Sequence, residues 1–448
     1  MKKFIETIKN IFRIEDLRQR ILYTLAIIFI YRLGSHIVLP GIDPASLGAF
    51  TQAAQEGLMG MLDLFSGGAF SNASIFALGI MPYISASIVI QLMTLAVPYF
   101  QRLQKEGESG RKKINQITRY LTVLVVAVQA PAYIVNLTQQ QFTGAISPTL
   151  LNSTFLGISA FSVCAFILLI AGTLFVMWLG ERITDKGIGN GISLIIMIGI
   201  IARFPFALQA EFASRITDAN GGPIIFIIEI IMLMLIISVC ILLVQGTRRI
   251  PVQYAKRIVG NKQYGGVRNF LPLKVNAAGV MPIIFAQAIM FLPLTFISMG
   301  TTNPSGFWYS FIDYNGLGYN ILFFVLIIAF TYFYTAITIN PNQIAEDLKK
   351  NGGFIPGVKP GKQTANFIDE IMSRITLPGS IFLGLVAILP AIVRLFGVNQ
   401  QFAQFFGGTS LLIMVGVVLD TLQQIDSHLR MRNYDGLSKS GGFRGRTL

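Results

Sequence analysis

The chain has 448 residues, of which 53% are hydrophobic and 12% charged, with a mean hydropathy of +0.64. A soluble domain carries roughly a quarter of its residues as charge, so this composition excludes a string of ordinary soluble domains and points to a polytopic membrane protein. The formal charge of +14 would suit a nucleic-acid partner, but its meaning depends on where the charges fall relative to the spans.

Residues 1–20 are polar and basic and lack the apolar core and small-residue cleavage site of a secretory leader. Phe4, Ile5, Ile8, Ile11, Phe12 and Leu17 recur at near-helical spacing, which predicts an amphipathic cytoplasmic segment lying on the membrane. A first span is predicted at about 21–39. It includes Arg32 and His36, and because a central arginine costs about 2.5–3.5 kcal/mol in a bilayer, Arg32 is expected to face protein or water. Further spans follow at about 73–96, 119–138 and 155–179. The fifth is unusual. Its uninterrupted apolar run, Ile192 to Ala202, has 11 residues, fewer than the ~20 needed to cross. It must recruit Gly187, Gly189, Asn190 and Gly191 at one end and Phe204 to Leu208 at the other. Such a span is expected to face protein or a water-filled cavity. Spans at about 223–245, 275–297, 319–339, 375–396 and 404–425 complete a set of ten.

An internal repeat organises this set. Phe65 to Leu95 opens Gly- and Ser-rich and becomes apolar, reading as a helix broken at Gly79 and Pro82. Gly79-Ile80-Met81-Pro82-Tyr83-Ile84 is matched by Gly279-Val280-Met281-Pro282-Ile283-Ile284. A broken span in each half marks the substrate path of many transporters, and five spans per half would invert the halves relative to each other. The expected fold is therefore all-α, with ten transmembrane helices in two inverted halves at 21–210 and 211–426 and a cytoplasmic tail at 427–448.

With the N-terminus placed in the cytoplasm, 31 of the 35 Lys and Arg fall in cytoplasmic stretches. Arg203, Arg215 and Arg394 fall in outer loops and Arg32 in a span. This obeys the positive-inside rule and puts both termini in the cytoplasm. The loops 246–274 and 340–374 are longer and more basic than topology requires, and both contain turn residues. They read as docking surfaces, the alternative being contact with anionic lipid.

No catalytic constellation emerges. There are two histidines, too few for a His metal cluster, and no GxxxxGK[ST] phosphate loop. Gly187 to Gly191 follows no strand and reads as a close-packed span entrance. Cys164 and Cys240 lie in apolar runs and imply neither a disulfide nor a metal site. Asp63, Glu229 and Asp420 are thin support for ion coupling. Ile80 and Ile84 share one helical face, as do Ile192 and Ile196, and Ile284 occupies the position of Ile84 in the repeat. These are either ordinary lipid-facing residues or an apolar constriction that dewets and resists ion flow. Phe65, Ser66, Gly67 and Gly68, small and uncharged, would suit a movable stopper in the outer funnel.

Seven long motifs carry a resemblance: PGID at 40–43, FSGGAFSNASIFALGIMPYISASIVIQL at 65–92, KEGESGRKK at 105–113, MWLGERITDKGIGNGIS at 177–193, LPLKVNAAGVMP at 271–282, FIPGVKPGKQTANFID at 354–369 and FGGTSLLI at 406–413. On these the chain resembles the SecY/Sec61-alpha family of protein-conducting channels, over about residues 15–436. The resemblance implies a channel and not an enzyme, with no cofactor, that passes unfolded polypeptides and releases apolar segments sideways. It implies a pore ring of Ile80, Ile84, Ile192, Ile196, Ile284 and Ile413, the last of which spacing does not single out. It implies a plug at about 57–71 and a lateral gate with Gln91 and Asn276. Lys256, Arg257 and Lys359 are implicated in docking, with Lys359 standing where the family commonly has Arg. The implied partners are SecE and SecG subunits, the motor ATPase SecA, the ribosome, secretory and membrane protein substrates, and anionic lipids, at the bacterial cytoplasmic membrane. A secondary transporter of small solutes and a non-conducting ribosome scaffold are the rival readings.

Overall fold

The computed structural model describes residues 14–44, 47, 57–138, 146, 153–155, 158–217, 222–254, 257–259, 262–264, 268–300 and 316–440. The amphipathic segment expected at 1–20 lies outside these residues up to position 13, as do Lys256 and the end of the tail at 441–448. The chain forms two compact units, Met1–Leu208 with Ile413–Leu448, and Gln209–Leu412.

In the first unit, α1 (Glu15–Gly34) begins with Glu15 and Asp16 in its first turn and ends with Arg32 in its last, each charge complementing the helix dipole. His36 therefore lies beyond the helix. A short helix α2 (Gly57–Ser66) leads into a series of turns over 67–80 and then into α3 (Met81–Ala96). A 95° bend separates α3 from α4 (Pro98–Lys105), whose first residue is a proline that cannot continue the preceding hydrogen-bond ladder. The unit continues with α5 (Glu108–Leu137), the two-residue strands β1 (Thr154–Phe155) and β2 (Ile158–Ser159), α6 (Ala160–Lys186) and α7 (Gly191–Thr217). The turn segment is not loosely attached. Phe70, Ala73 and Ala77 pack with Leu39 and Ile42 against Val126, Tyr133, Phe161 and Leu169 of α5 and α6. Gly172 of α6 lies so close that a Cβ there would come 2.2 Å from the Ile75 carbonyl oxygen.

The second unit receives the C-terminal end of α7 and contains α8 (Gly222–Gln245), α9 (Met281–Gly300), α10 (Leu317–Thr338), α11 (Pro341–Lys350), α12 (Lys362–Leu395) and α13 (Gln400–Ala403). The last helix, α14 (Gly408–Ser440), starts here and returns to the first unit at Ile413. Between α8 and α9 the chain forms an antiparallel ribbon of β3 (Thr247–Tyr254) and β6 (Arg268–Lys274), with β4 (Arg257–Val259) and β5 (Lys262–Tyr264) pairing between them in sequence.

Several expectations change. Seven helices among the described residues are long and apolar enough to cross a membrane, or eight when the bent pair α3 and α4 counts as one span. α1 is not among them because every 18-residue stretch of it carries at least three charged residues, and α9 is an apolar helix of 20 residues, Met281–Gly300. The repeated Gly-x-Met-Pro does not break a helix; it starts one. Gly79 and Gly279 adopt φ of +55° and +63°, where a Cβ would be strained, and Pro82 then occupies the first turn of α3, where its missing N–H costs nothing. The fifth span is longer than expected, since α7 runs through Pro205 to Thr217. Arg203, Arg215 and Arg394 consequently lie on helices and not in loops. The fold is mostly helical, as expected, with small sheets added, most of them in the loop 246–274.

Candidate functional site

The segment Asp63 to Ser71 is a built structure. The Asp63 carbonyl accepts from Gly68 N at 2.9 Å, and the Ser66 hydroxyl accepts from Phe70 N at 3.0 Å. One Asp63 carboxylate oxygen accepts from Ser71 N at 2.8 Å. These bonds hold α2 and the following turn as one body. Burial raises the Asp63 carboxyl above its ordinary range, and the Arg203 guanidinium and the Ser71 N–H pull it part of the way back.

Three helices seat this body. From α1, the Tyr31 hydroxyl donates to the Ser66 carbonyl at 3.0 Å and Arg32 Nη1 to the Gly67 carbonyl at 2.8 Å. From α5, the Tyr133 hydroxyl donates to the Phe70 carbonyl at 2.8 Å. From α7, Arg203 Nη2 donates to the second Asp63 oxygen and to Ser71 Oγ. The glycines explain the closeness. A Cβ on Gly67 would come 2.7 Å from Gly199 Cα, and one on Gly68 would come 2.9 Å from Arg203 Nη2. Gly199 and Arg203 are one turn apart on α7, so Gly67 and Gly68 lie along one face of that helix. Phe65 to Gly68 are themselves uncharged, but the seat around them is organised by an acid and two arginines. Sequence reasoning missed Tyr31, Tyr133, Gly199 and the role of Arg203. The available signal was one acid and two arginines, each isolated in apolar sequence, since such groups in a membrane protein pair with one another.

The expected ring residues divide between the units. Ile80 precedes α3 and Ile84 lies in its first turn, with Ile84 N bonded to the Ile80 carbonyl at 3.1 Å, and both are buried. Ile196 and Ile413 are buried, while Ile192 is partly exposed and covers Gly180 of α6, where a Cβ would come 3.1 Å from its Cγ1. Ile284, partly exposed, belongs to the second unit. Gln91 lies on α3 and donates to Ser87 Oγ at 3.4 Å. Asn276 lies not on α9 but in the turn before it, buried, with Oδ1 lacking a partner among the described residues.

The two basic loops form one module. β7 (Gly353–Phe354) pairs with Gln253 and Tyr254 of β3, giving a sheet of order β6-β3-β7. Ile250, Val252 and Leu273 of the ribbon pack with Ile355, Ile368 and Met372 of the second loop and α12. Lys359 is exposed in the turn before α12, its carbonyl accepting from Thr364 Oγ1 at 2.9 Å. Arg257 lies on β4.

A second buried charge cluster lies in the other unit. Arg215 donates to Glu211 at 2.8 Å, to Glu229 of α8 at 2.6 Å and to the Gly397 carbonyl at 3.0 Å, while Asn399 N donates to Glu211 at 2.8 Å. Glu229, considered above for ion coupling, is therefore an ion-pair partner.

These features define a multi-pass helical membrane protein with an internal segment seated on its own spans. A solved structure described as "The structure of a protein conducting channel" superposes with a TM-score of 0.61 at 18% identity, covering 92% of each chain. One described as "Sec61 in the Canine ribosome-channel complex from the endoplasmic reticulum" does so with a TM-score of 0.57 at 17% identity and the same coverage. The SecY family model matches residues 74–422. The protein translocase subunit SecY of Streptomyces galbus is 43% identical over 434 residues, covering 95% of this chain and 98% of the relative. That of Mycobacterium bovis is 42% identical over 454 residues, covering 98% and 100%. The chain belongs to the SecY family.

Proposed function

We propose that this chain is the channel subunit through which unfolded polypeptides cross the membrane and from which apolar segments leave sideways into lipid. It is a channel component and not an enzyme. The observation that carries this reading is the 42–43% identity to SecY translocase subunits over at least 95% of the chain. In this reading ten membrane helices form two inverted halves, 21–210 and 211–426, around a pore. Ile80, Ile84, Ile192, Ile196, Ile284 and Ile413 narrow that pore, and an apolar ring suits the task because it makes no specific hydrogen-bond demand on the passing chain. Residues 57–71 are the plug, and the seat described above supports that assignment. Gln91 and Asn276 tune the lateral gate. The unpartnered Oδ1 of Asn276 supports this, because an unsatisfied buried group favours a state in which it is solvated.

The β-ribbon module with Lys256, Arg257 and Lys359 receives the ribosome and the motor ATPase SecA in turn, and its single hydrophobic core supports a rigid docking platform. SecE and SecG accompany the chain, and anionic lipid contacts its basic cytoplasmic edge. The setting is the bacterial cytoplasmic membrane with both termini inside. The test is reconstitution into vesicles with SecE, SecG and SecA: ATP-dependent protection of a secretory precursor from protease supports the function. Docking of the precursor without protection refutes it.

A further inference from the structure

The geometry points to Asp63 and Arg203 as a charge latch that sets how readily the plug leaves its seat, and so how strong a signal sequence the channel demands. The inference rests on the reading of 57–71 as a plug. The bonds from Tyr31, Arg32 and Tyr133 end on backbone carbonyls of the segment, so they depend on its path and not on its side chains. The bonds from Arg203 end on two of its side chains, Asp63 and Ser71. Asp63 also holds Ser71 N, so the carboxylate both shapes the segment and ties it to α7. The Asp63 side chain is 4% exposed and that of Arg203 20%, and Arg203 Nε is buried with no partner among the described residues.

That incomplete pairing makes the latch reversible. In the seated state the pair gains its mutual attraction but pays desolvation of both charges and of the idle Nε–H. When the segment leaves, both groups rehydrate in the funnel, so release costs only the difference. Removing one partner changes the balance sharply, because the other is left buried and uncompensated only while the segment is seated. Removing both abolishes that penalty. The other charged group at the seat is the Arg32 guanidinium, with Nη2 3.4 Å from His36 Nε2. A lone Arg203 would therefore add to like charge.

The experiment uses the full chain in its membrane complex, with ion conductance in planar bilayers and export of a reporter carrying a defective signal sequence as readouts. Asp63→Asn and Arg203→Gln are each expected to raise resting conductance by about tenfold or more, the lower end for a buried pair because Arg203 keeps some solvent. Both are expected to relax the signal requirement. The double variant is expected to conduct less than the product of the two single effects. Arg203→Lys, which keeps the charge without the planar fork, is expected to lie between wild type and Arg203→Gln. It carries the test where a neutral variant fails to assemble. Ile84→Ser serves as a leak control. Wild-type conductance in the latch variants while Ile84→Ser leaks overturns the latch and spares the channel, as does strict multiplicativity of the two single effects. Silence of Ile84→Ser as well counts against the sealed-pore reading of ring and plug, and overturns the latch with it.

Discussion

Gly199→Ala separates seating of the plug from general stability. Gly199 is interior to α7, and a Cβ there would come 2.9 Å from the Phe65 carbonyl oxygen, 3.1 Å from Gly67 N and 3.3 Å from Gly67 Cα. All three are backbone atoms, so no rotamer change relieves the crowding and the segment must shift by a few tenths of an ångström. Overpacking of this kind costs about 1–3 kcal/mol. The cost falls on the seated state alone, whereas the gain in helix propensity, about 0.8–1.0 kcal/mol, accrues to α7 whether or not the segment is seated. The ratio of unseated to seated forms should therefore rise roughly 5- to 150-fold. The assay is single-channel recording of the full complex beside its thermal midpoint in detergent. Conductance should rise while the midpoint holds or falls slightly, the net cost to the seated protein being about 0–2 kcal/mol. Wild-type conductance would refute the packing of Gly67 on Gly199, and a leak accompanied by a large fall in midpoint would mean general loosening instead.

Ile84→Ser and Ile284→Ser should each raise ion leak and relax signal-sequence stringency, because a hydroxyl wets an apolar constriction; unchanged conductance in both would count against the ring. Arg215→Met should lower stability by about 3–5 kcal/mol, since Glu211 and Glu229 then remain buried without their counter-charge. Adding Glu229→Gln should restore part of that stability, and a thermal midpoint equal to wild type in the single variant would show the cluster to be unimportant. Lys256→Ala, Arg257→Ala and Lys359→Ala should weaken ribosome binding and flatten its salt dependence by up to about 0.9 in log–log slope for each phosphate left without its cation. A weaker affinity with an unchanged slope would point away from RNA phosphate.

How far the sequence speaks for this fold differs from element to element. The Gly-x-Met-Pro repeat was visible at 200 residues' separation, and both glycines take left-handed φ. Its meaning as a helix start is not visible, because Ile75 to Ile80 are as apolar as the helix that follows and hydropathy cannot separate turns from helix there. Charge counting places Arg203 and Arg215 in outer loops because an apolar run is taken to end at a charge. Each is instead carried on the helix by an acid. Glu229 is 14 residues from Arg215, whereas Asp63 is 140 from Arg203, beyond the reach of any local pattern. In the basic loop, Ile250 and Val252, with Leu271 and Leu273, alternate with a period of two, a strand signal that the charge count overshadowed. The pairing of β3 with β7 is non-local and left no trace. The ring rested on resemblance at Ile413, since one buried isoleucine among many carries no local mark.

The central claim is that a polypeptide threads this chain. The most direct measurement is photocrosslinking from probes at positions 84, 196, 284 and 413 in cells carrying a stalled secretory chain. Crosslinks from all four to the mature part of that chain are expected if the polypeptide passes through the ring. Crosslinks confined to probes in the β-ribbon module, with none from the four positions, would show a protein that docks its partner without conducting it.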